Sequence, residues 1–537
     1  MYVPRVRIGL TCVVPSSIFG LKGNVLCILN RDLQHAAGSL SLSLSLSLSL
    51  SLSTSCNLGL NRHCSFRGPV PLVVDMDGSL LMTDSLWECF WAQAARRPWL
   101  LFCAPFWLAR GRLYFKTRIA QLGPPPEMPL RQEVLEYCRR VREAGRPCIL
   151  ATASPLSVAQ VVADRCAFFD EVFGSSDAVN LKGNVKAEFL CERFGRGHFD
   201  YIGNSMADLP VWSVARTAIV IGSESLATRV REINPHCDRI PVKEPDLKDI
   251  LDLWRVRQWI KNLLIFFPVI LSHDFTVHSF GLAVLAFFSL SCMASAIYTY
   301  NDICDITSDR MHPVKCFRPF ASCSIPIQSA FLFFFIPFCI SIAIALLLPT
   351  TFFMLLFLYL FVTLMYSSWL KRLLVLDVLT LTVLYLLRVG MGCAAVSTDC
   401  SQWVLGFLGF LFLGLALIKR IGGLVTAVPQ VPMGEQAMPG RAYLPIDLPL
   451  LESLSISCGV ASCIVLVFYV DSIKASSLYS QPFWLWGECF LLLWGYIRLA
   501  IRVVRGQVAD DPVSAVCKDK TYGLMAILAI FLFILAL

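Results

Sequence analysis

A chain of 537 residues that is 56% hydrophobic and only 16% charged, with a mean hydropathy of +0.64, is too apolar for an ordinary soluble protein. The formal charge of +8 gathers near the polar loops of the apolar half, so it speaks to membrane topology and anionic substrates; no aromatic-interleaved basic patch for nucleic acid is present. The 22 cysteines are scattered, without a C-x-x-C pair or a zinc-spaced His/Cys cluster, and many lie in apolar runs as small hydrophobes, which points to a reducing, intracellular face.

Residues 1–68 contain a strict Ser-Leu alternation from Ser39 to Ser53. Period two suits a strand, but a uniform repeat specifies no register, and a simple CT dinucleotide repeat encodes the same pattern. Arg, Asn and Pro interrupt the early apolar residues, so no signal-peptide core with a cleavage site forms. The stretch reads as a low-complexity or disordered extension.

Residues 69–245 read as a soluble domain. The apolar run Val70–Val74 ends in Asp75-Met76-Asp77-Gly78-Ser79. A strand ending in two acids one residue apart aims both carboxylates at one pocket: Asp75 to attack phosphorus, Asp77 to protonate the leaving oxygen and then activate water. Gly78 allows the tight turn. A second apolar run, Pro147–Ala151, ends in Thr152-Ala153-Ser154; Lys182 and Lys186 flank the start of a helical stretch, and Tyr201-Ile202-Gly203-Asn204-Ser205 leads to Asp208. Strands alternating with helical patterns predict a parallel α/β sheet with its site at the strand C-terminal ends.

These residues resemble the haloacid dehalogenase superfamily, in its phosphoserine-phosphatase-like branch, through DMDGSL, LATAS, VKAEFL and GNSMADLPVW. The resemblance implies a Rossmann-like domain with Asp75 as nucleophile, Asp77 as acid and base, Thr152 as a phosphate-binding hydroxyl and Lys186 as the charge-stabilising lysine. It implies an Mg²⁺ site drawn from Asp75, Asp77, Asn204 and Asp208. The last motif usually opens Gly-Asp, and here it is Gly203-Asn204; an amide coordinates Mg²⁺ without charge, so metal affinity falls. A regulatory or docking domain is the other reading of this half.

Residues 246–537 begin with a basic, Trp-containing approach, Arg255–Asn262, suited to a membrane interface. Nine apolar stretches of roughly spanning length follow, near 260–275, 279–300, 327–348, 350–366, 374–396, 402–418, 450–471, 483–504 and 521–537. The loops after even spans hold Arg310, Lys315 and Arg318; Lys371 and Arg372; Lys419, Arg420 and Arg441; and Arg505, Lys518 and Lys520, whereas the odd loops hold almost no Lys or Arg beyond Lys474. The positive-inside rule places the even loops and the soluble domain in the cytoplasm and the C-terminus outside, a multi-pass protein of the cell membrane.

Every chemical cluster falls on that side. Asn301, Asp302, Asp305 and Asp309 lie within nine residues, the three acids at helical spacings of three and four before Pro313. Acids on one stripe repel unless a cation joins them, which predicts an Mg²⁺ site for a phosphorylated ligand rather than a plain helix-end cap. Lys315 and Arg318 are placed to hold phosphate oxygens. In the next even loop Tyr366 and Lys371 offer phosphate contacts and Asp377 a further metal ligand. Arg388 lies deep in the fifth span, where a cation is functional or paired with an inward-facing acid. Lys419-Arg420 and Gly440-Arg441-Ala442-Tyr443, with Asp447 beyond, add anion contacts or, for Lys419 and Arg420, a plain inside anchor.

Nine spans, NDxxDxxxDR after the second and the Tyr/Lys/Asp cluster after the fourth resemble the UbiA-type prenyltransferase superfamily. Within it, RVRQWIKNLLIFFPVILS, HPVKCFRP, LKRLLVLDVL, GRAYLPIDLPLL and DDPVSAVCKDK look like the decaprenyl-phosphate phosphoribosyltransferase branch. That implies an α/β haloacid dehalogenase domain followed by an all-α nine-helix transmembrane bundle. It also implies Mg²⁺-dependent transfer of phosphoribose from phosphoribosyl diphosphate to a polyprenyl phosphate. Asp302 and Asp305 are then catalytic, Asp309 joins them on metal, and Asn301, Lys315, Arg318, Tyr366 and Lys371 hold diphosphate or phosphate. Leu381 stands where the aromatic-acceptor branch commonly has a second Asp after Asp377, which favours the phosphoribosyl branch. The related pattern K-R-x-x-E-L is Lys419-Arg420-Ile421-Gly422-Gly423-Leu424 here, without the acid. The alternatives are prenyl transfer from a prenyl diphosphate to an aromatic acceptor and, in another class, a membrane transporter with a regulatory soluble domain.

Overall fold

Short apolar runs that bury both faces form the centre of the N-terminal half: β1 (Leu72–Val74), β2 (Cys148–Pro155), β3 (Glu171–Ser175), β4 (Asp200–Gly203), β5 (Ala218–Gly222) and β6 (Cys237–Pro241). The computed structural model describes residues 68–97, 99–123, 125–176, 179–427, 442–508 and 512–537; the Ser-Leu extension, Gly440 and Arg441 lie outside them. All strand pairings are parallel, in the order β3-β2-β1-β4-β5-β6, as the sequence predicts. Side chains alternate between two cores: Leu72, Val74, Cys148 and Leu150 on one face, Val73, Ile149 and Ala151 on the other. This is the doubly wound order, and its ligand crevice lies between β1 and β4, where the winding reverses.

Helices α1 (Ser85–Arg96), α2 (Leu100–Ala109) and α3 (Arg112–Leu122) are inserted between β1 and β2, followed by α4 (Gln132–Glu143). Helices α5 (Leu156–Cys166), α6 (Asn184–Phe194) and α7 (Glu224–Arg231) make later crossovers. The inserted helices reach their own sheet through Ala120 and Lys116 of α3 and place most of their buried apolar side chains elsewhere. Cys89, Phe90, Trp91, Leu100, Ala104, Phe115 and Ile119 share one core with Leu253, Ile303, Ile306, Phe320, Ile325, Ile327 and Ala330 of the apolar half. Burial of the Leu, Ile and Phe side chains among these, at about 1.5–3 kcal/mol each, joins the two halves.

The apolar half consists of α8 (Val277–Cys304), α9 (Ile306–Met311), α10 (Ala330–Ala345), α11 (Thr350–Ser368), α12 (Leu376–Val396), α13 (Gln402–Ala427), α14 (Leu448–Val470), α15 (Leu485–Val504) and α16 (Lys520–Ala536). Among the described residues, α8, α10 with its leading 3₁₀ turn, and α11 to α14 make six helices long and apolar enough to cross a membrane. Helix α15 carries Glu488, Arg498 and Arg502, and α16 is shorter.

The first expected span, near 260–275, is not one α-helix. Val256–Phe266 is a 3₁₀ run, and a five-residue helix follows, Phe267–Leu271, with Pro268 in its first turn. Pro268 has no N–H to continue a preceding helix. Asn262 is buried: its amide donates to Ser291 Oγ (3.0 Å) and accepts from Arg388 Nε (3.1 Å). Gly392 of α12 admits this segment, because a Cβ there would meet Ile265 O at 2.3 Å.

Candidate active sites

In the soluble half, β1 delivers Asp75 and β4 delivers Asn204 to the crevice. The backbone joins them, Asp75 N donating to Ile202 O (2.9 Å). Gly78 turns the chain with φ +73°, and a Cβ there would lie 2.1 Å from Asn204 Nδ2, so this close approach needs glycine. Lys186 Nζ, presented by α6, donates to Asp75 Oδ1 (2.7 Å) and Tyr201 OH (3.0 Å). Tyr201 donates onward to Asp208 Oδ1 (2.9 Å), whose other oxygen accepts hydrogen bonds from Asn204 N, Ser205 N and Ser205 Oγ at 3.0–3.3 Å. Burial pushes the Asp75 carboxyl up to about 7; Lys186 opposes the rise and Asp208 adds to it.

Asp77 is held by two serines: Ser85 N donates to its Oδ1 (2.8 Å) and Ser154 Oγ to its Oδ2 (2.7 Å). Ser85 opens α1, so the inserted helices are tied directly to Asp77. Thr152 is buried, and its Oγ1 accepts from Ser154 N (3.1 Å). From α3, Lys116 Nζ donates to Ala153 O (2.8 Å) in the same loop. Lys182 is exposed. The sequence pattern brings Asp75, Asp77, Thr152, Lys186, Asn204 and Asp208 together. It misses Tyr201, whose place in an alternating strand reads as core packing, and Ser85 and Lys116, which the fold brings back.

In the apolar half the acidic stripe is divided. Helix α8 ends at Cys304 and α9 begins at Ile306, with Asp305 at the break between them. Asp302 and Asp309 are buried and share one cation: Arg318 Nη1 lies 3.1 Å from Asp302 Oδ1 and 2.6 Å from Asp309 Oδ2. Arg255, from the basic approach, also pairs with Asp302. Asn301 and Asp305 are half-buried and Lys315 is exposed. Continuous helical spacing predicts three acids on one face; the break lets two converge on Arg318.

A second node forms around Asp377 at the start of α12. Arg420 Nε lies 2.5 Å from Asp377 Oδ2, Tyr443 OH donates to Asp377 Oδ1 (2.5 Å), and Arg420 Nη2 donates to Tyr366 OH (2.9 Å). Lys419 and Arg420 thus lie inside α13 rather than in a loop, since Asp377 neutralises the buried guanidinium. Lys371 lies close enough to Cys304, beside Asp305, for its charge to act there. Arg388 lies roughly 16 Å further along α12 from Asp377. It donates to Asn262 Oδ1 (3.1 Å), Leu384 O (2.6 Å) and Tyr359 OH (3.2 Å), and rests on the rings of Tyr359 and Tyr385. Its partners are neutral groups, not an inward-facing acid.

Among the described residues, no three His, Cys, Asp or Glu side chains are gathered as a metal chelate. The donor chemistry nonetheless fits a hard divalent cation at both sites: buried and half-buried carboxylate and amide oxygens, with arginine or lysine supplying the countercharge. In the soluble half Lys186 pairs with Asp75, while Asp208 is met by the Tyr201 hydroxyl and by Asn204 N, Ser205 N and Ser205 Oγ, leaving negative charge for a cation to balance.

The UbiA prenyltransferase family profile matches residues 263–424. The chain is 33% identical over 482 residues to "Uncharacterized protein y4nM" of Sinorhizobium fredii, covering 88% of this chain and 92% of that protein. A decaprenyl-phosphate phosphoribosyltransferase of Mycobacterium tuberculosis is 26% identical over 279 residues, 51% of this chain and 89% of its own. Among solved structures, a UbiA homolog from Archaeoglobus fulgidus bound to DMAPP and Mg²⁺ aligns at 16% identity with a TM-score of 0.41, over 53% of this chain and 98% of its own.

Proposed function

The chain belongs to the UbiA prenyltransferase family; from that premise we propose that the α/β domain ahead of its membrane half is haloacid dehalogenase-like and that the chain makes and then trims a phosphoribosyl lipid. The membrane half moves phosphoribose from phosphoribosyl diphosphate onto a polyprenyl phosphate. A phosphate oxygen of the lipid bonds the anomeric carbon as the bond to diphosphate breaks. The observation that carries this reading is the Asp302–Arg318–Asp309 node at the end of α8: buried carboxylates and an arginine at a membrane boundary suit a diphosphate leaving group. The phosphoribosyltransferase relatives over the same half and the lone Asp377 favour phosphoribosyl diphosphate over a prenyl diphosphate. Mg²⁺, when bound, supplies positive charge against the departing diphosphate and against phosphoryl oxygens in the soluble half.

Asp302, Asp305 and Asp309 are assigned to metal, with Asn301, Lys315, Arg318 and Lys371 on the diphosphate; Arg318 exchanges its carboxylates for phosphate oxygens. Asp377, held by Arg420 and Tyr443, orients Tyr366 through Arg420. Arg388 braces α12 against the 3₁₀ run and lends positive potential to the bundle interior. We take the 3₁₀ segment with α8 and α10 to α16 as nine spanning segments and the acidic ends as cytoplasmic. The Cys393–Cys400 disulfide, which ties the last turn of α12 to the loop beyond it at the end opposite Asp377, supports that orientation, since disulfides persist outside the reducing cytoplasm.

In the soluble half Asp75 attacks the 5-phosphate of the phosphoribosyl lipid and Asp77 protonates the leaving sugar oxygen. Water, deprotonated by Asp77, then releases inorganic phosphate from Asp75. Lys186 holds the phosphoryl charge and Tyr201 fixes Lys186 against Asp208. The test of the transferase is a choice of substrates. Purified chain with Mg²⁺ is offered phosphoribosyl diphosphate plus polyprenyl phosphate, or a prenyl diphosphate plus a phenolic acid. Product from the first pair alone, lost in Asp302→Ala, is expected; product from the second pair alone removes the phosphoribosyl reading.

A further inference from the structure

Helix α2 is one of two shorter apolar helices in the described chain, and the protein uses only one of its sides. Leu100 and Ala104 are buried, with Leu101 and Trp107 against them, in the core shared with Ile303 at the end of α8 and Ala330 at the start of α10. The other side presents Trp99, Phe102 and Phe106, at 52%, 78% and 74% exposure. Spacings of three and four put these rings on one face. Three large rings side by side make a poor face for water.

Two further observations say what covers it. The face is bracketed by exposed arginines, Arg96 and Arg97 before it and Arg110 after it, with no acid between Glu88 and Glu127 in the sequence. The core beneath it is shared with the membrane half. Phe331 packs on Trp87, Phe90 and Trp91 of α1 and stacks on Phe335, which is exposed beside Leu332 and Ile336 on α10. An apolar aromatic face between arginines, beside the first turn of a span, is the composition of a helix lying in the headgroup–acyl boundary.

We propose that α2 is an interfacial membrane anchor, its Trp99/Phe102/Phe106 face in the acyl boundary and Arg96, Arg97 and Arg110 on the phosphates of anionic phospholipids. Since α1 begins at Ser85, which binds Asp77, the anchor fixes the mouth of the phosphatase-like crevice at the lipid surface. That consequence rests on the reading of Asp75 as a nucleophile for lipid phosphoesters; the anchoring itself does not. Full-length chain carrying a benzophenone amino acid in place of Phe106, or of Phe102 in a second preparation, is reconstituted into phosphatidylcholine–phosphatidylglycerol vesicles and illuminated. Benzophenone in place of Ile233, exposed on the soluble half, is the reference. A phospholipid adduct at least tenfold more abundant at 106 and 102 than at 233 is expected. Adduct equal to the reference, or a chain-to-chain crosslink in its place, overturns the proposal. An adduct from a chain that releases no phosphate would retain the anchor and remove the phosphatase reading.

Discussion

Asp75 shows how one carboxylate is set by its neighbours. Its folded-state pKa, pushed up to about 7 by burial against Lys186, lies above the unfolded value near 4. A raised carboxyl binds its proton more tightly in the folded chain, so its contribution to stability is full below about 4 and is lost as pH rises to 7. In chelator, denaturation of the native chain across that window should show stability falling with pH relative to Asp75→Asn, whose side chain does not titrate; parallel curves would contradict it. Tyr201→Phe keeps the ring packed and removes the hydroxyl between Lys186 and Asp208. Loss of such an orienting partner costs roughly 10–100-fold in metal affinity, so half-saturation of phosphate release by Mg²⁺ should rise by that factor. Asp75, Asp77, Asn204 and Asp208 were legible because they close strands with turn residues. Tyr201 was not, because a tyrosine inside a buried strand carries no mark of what its hydroxyl reaches.

At the scale of elements, Arg310 joins the halves. Its guanidinium forks onto Glu88 of α1, at 2.6 and 3.1 Å, and Glu88 also accepts from Thr83 Oγ1 (2.7 Å). Arg310 directly follows Asp309, so α1 of the soluble half and α9 of the membrane half are locked at the acidic node. Breaking a buried pair from one side costs about 3–5 kcal/mol. Glu88→Ala should therefore lower thermal stability in detergent, with proteolysis appearing first between the halves; the Arg310→Ala/Glu88→Ala double variant should recover part of the loss. Additive losses would show that the pair is not the clamp. Sequence spacing located the stripe but assumed one continuous helix; the break at Asp305 comes from tertiary packing of Ile303 and Ile306 beneath α1 and α2. Glu88 was illegible, because its partner lies 222 residues away.

For the whole molecule, the parallel sheet and the apolar helices were readable from period and length, since buried strands and spans are near-continuous apolar runs. The exception is Val256–Phe266, where an unbroken α-helix was expected; the segment is a 3₁₀ run followed by a short helix that begins at Pro268, and its Asn262 braces Arg388. The fusion itself makes the central claim testable in one vessel. The chain is given phosphoribosyl diphosphate, polyprenyl phosphate and Mg²⁺, and the lipid product is weighed by mass spectrometry. The account predicts a ribosyl lipid without the 5-phosphate from the native chain and the phosphorylated lipid accumulating in Asp75→Asn. It predicts neither product in Asp302→Ala. Phosphorylated lipid in equal amount from the native chain and Asp75→Asn, or no ribosylated lipid at all, would contradict it.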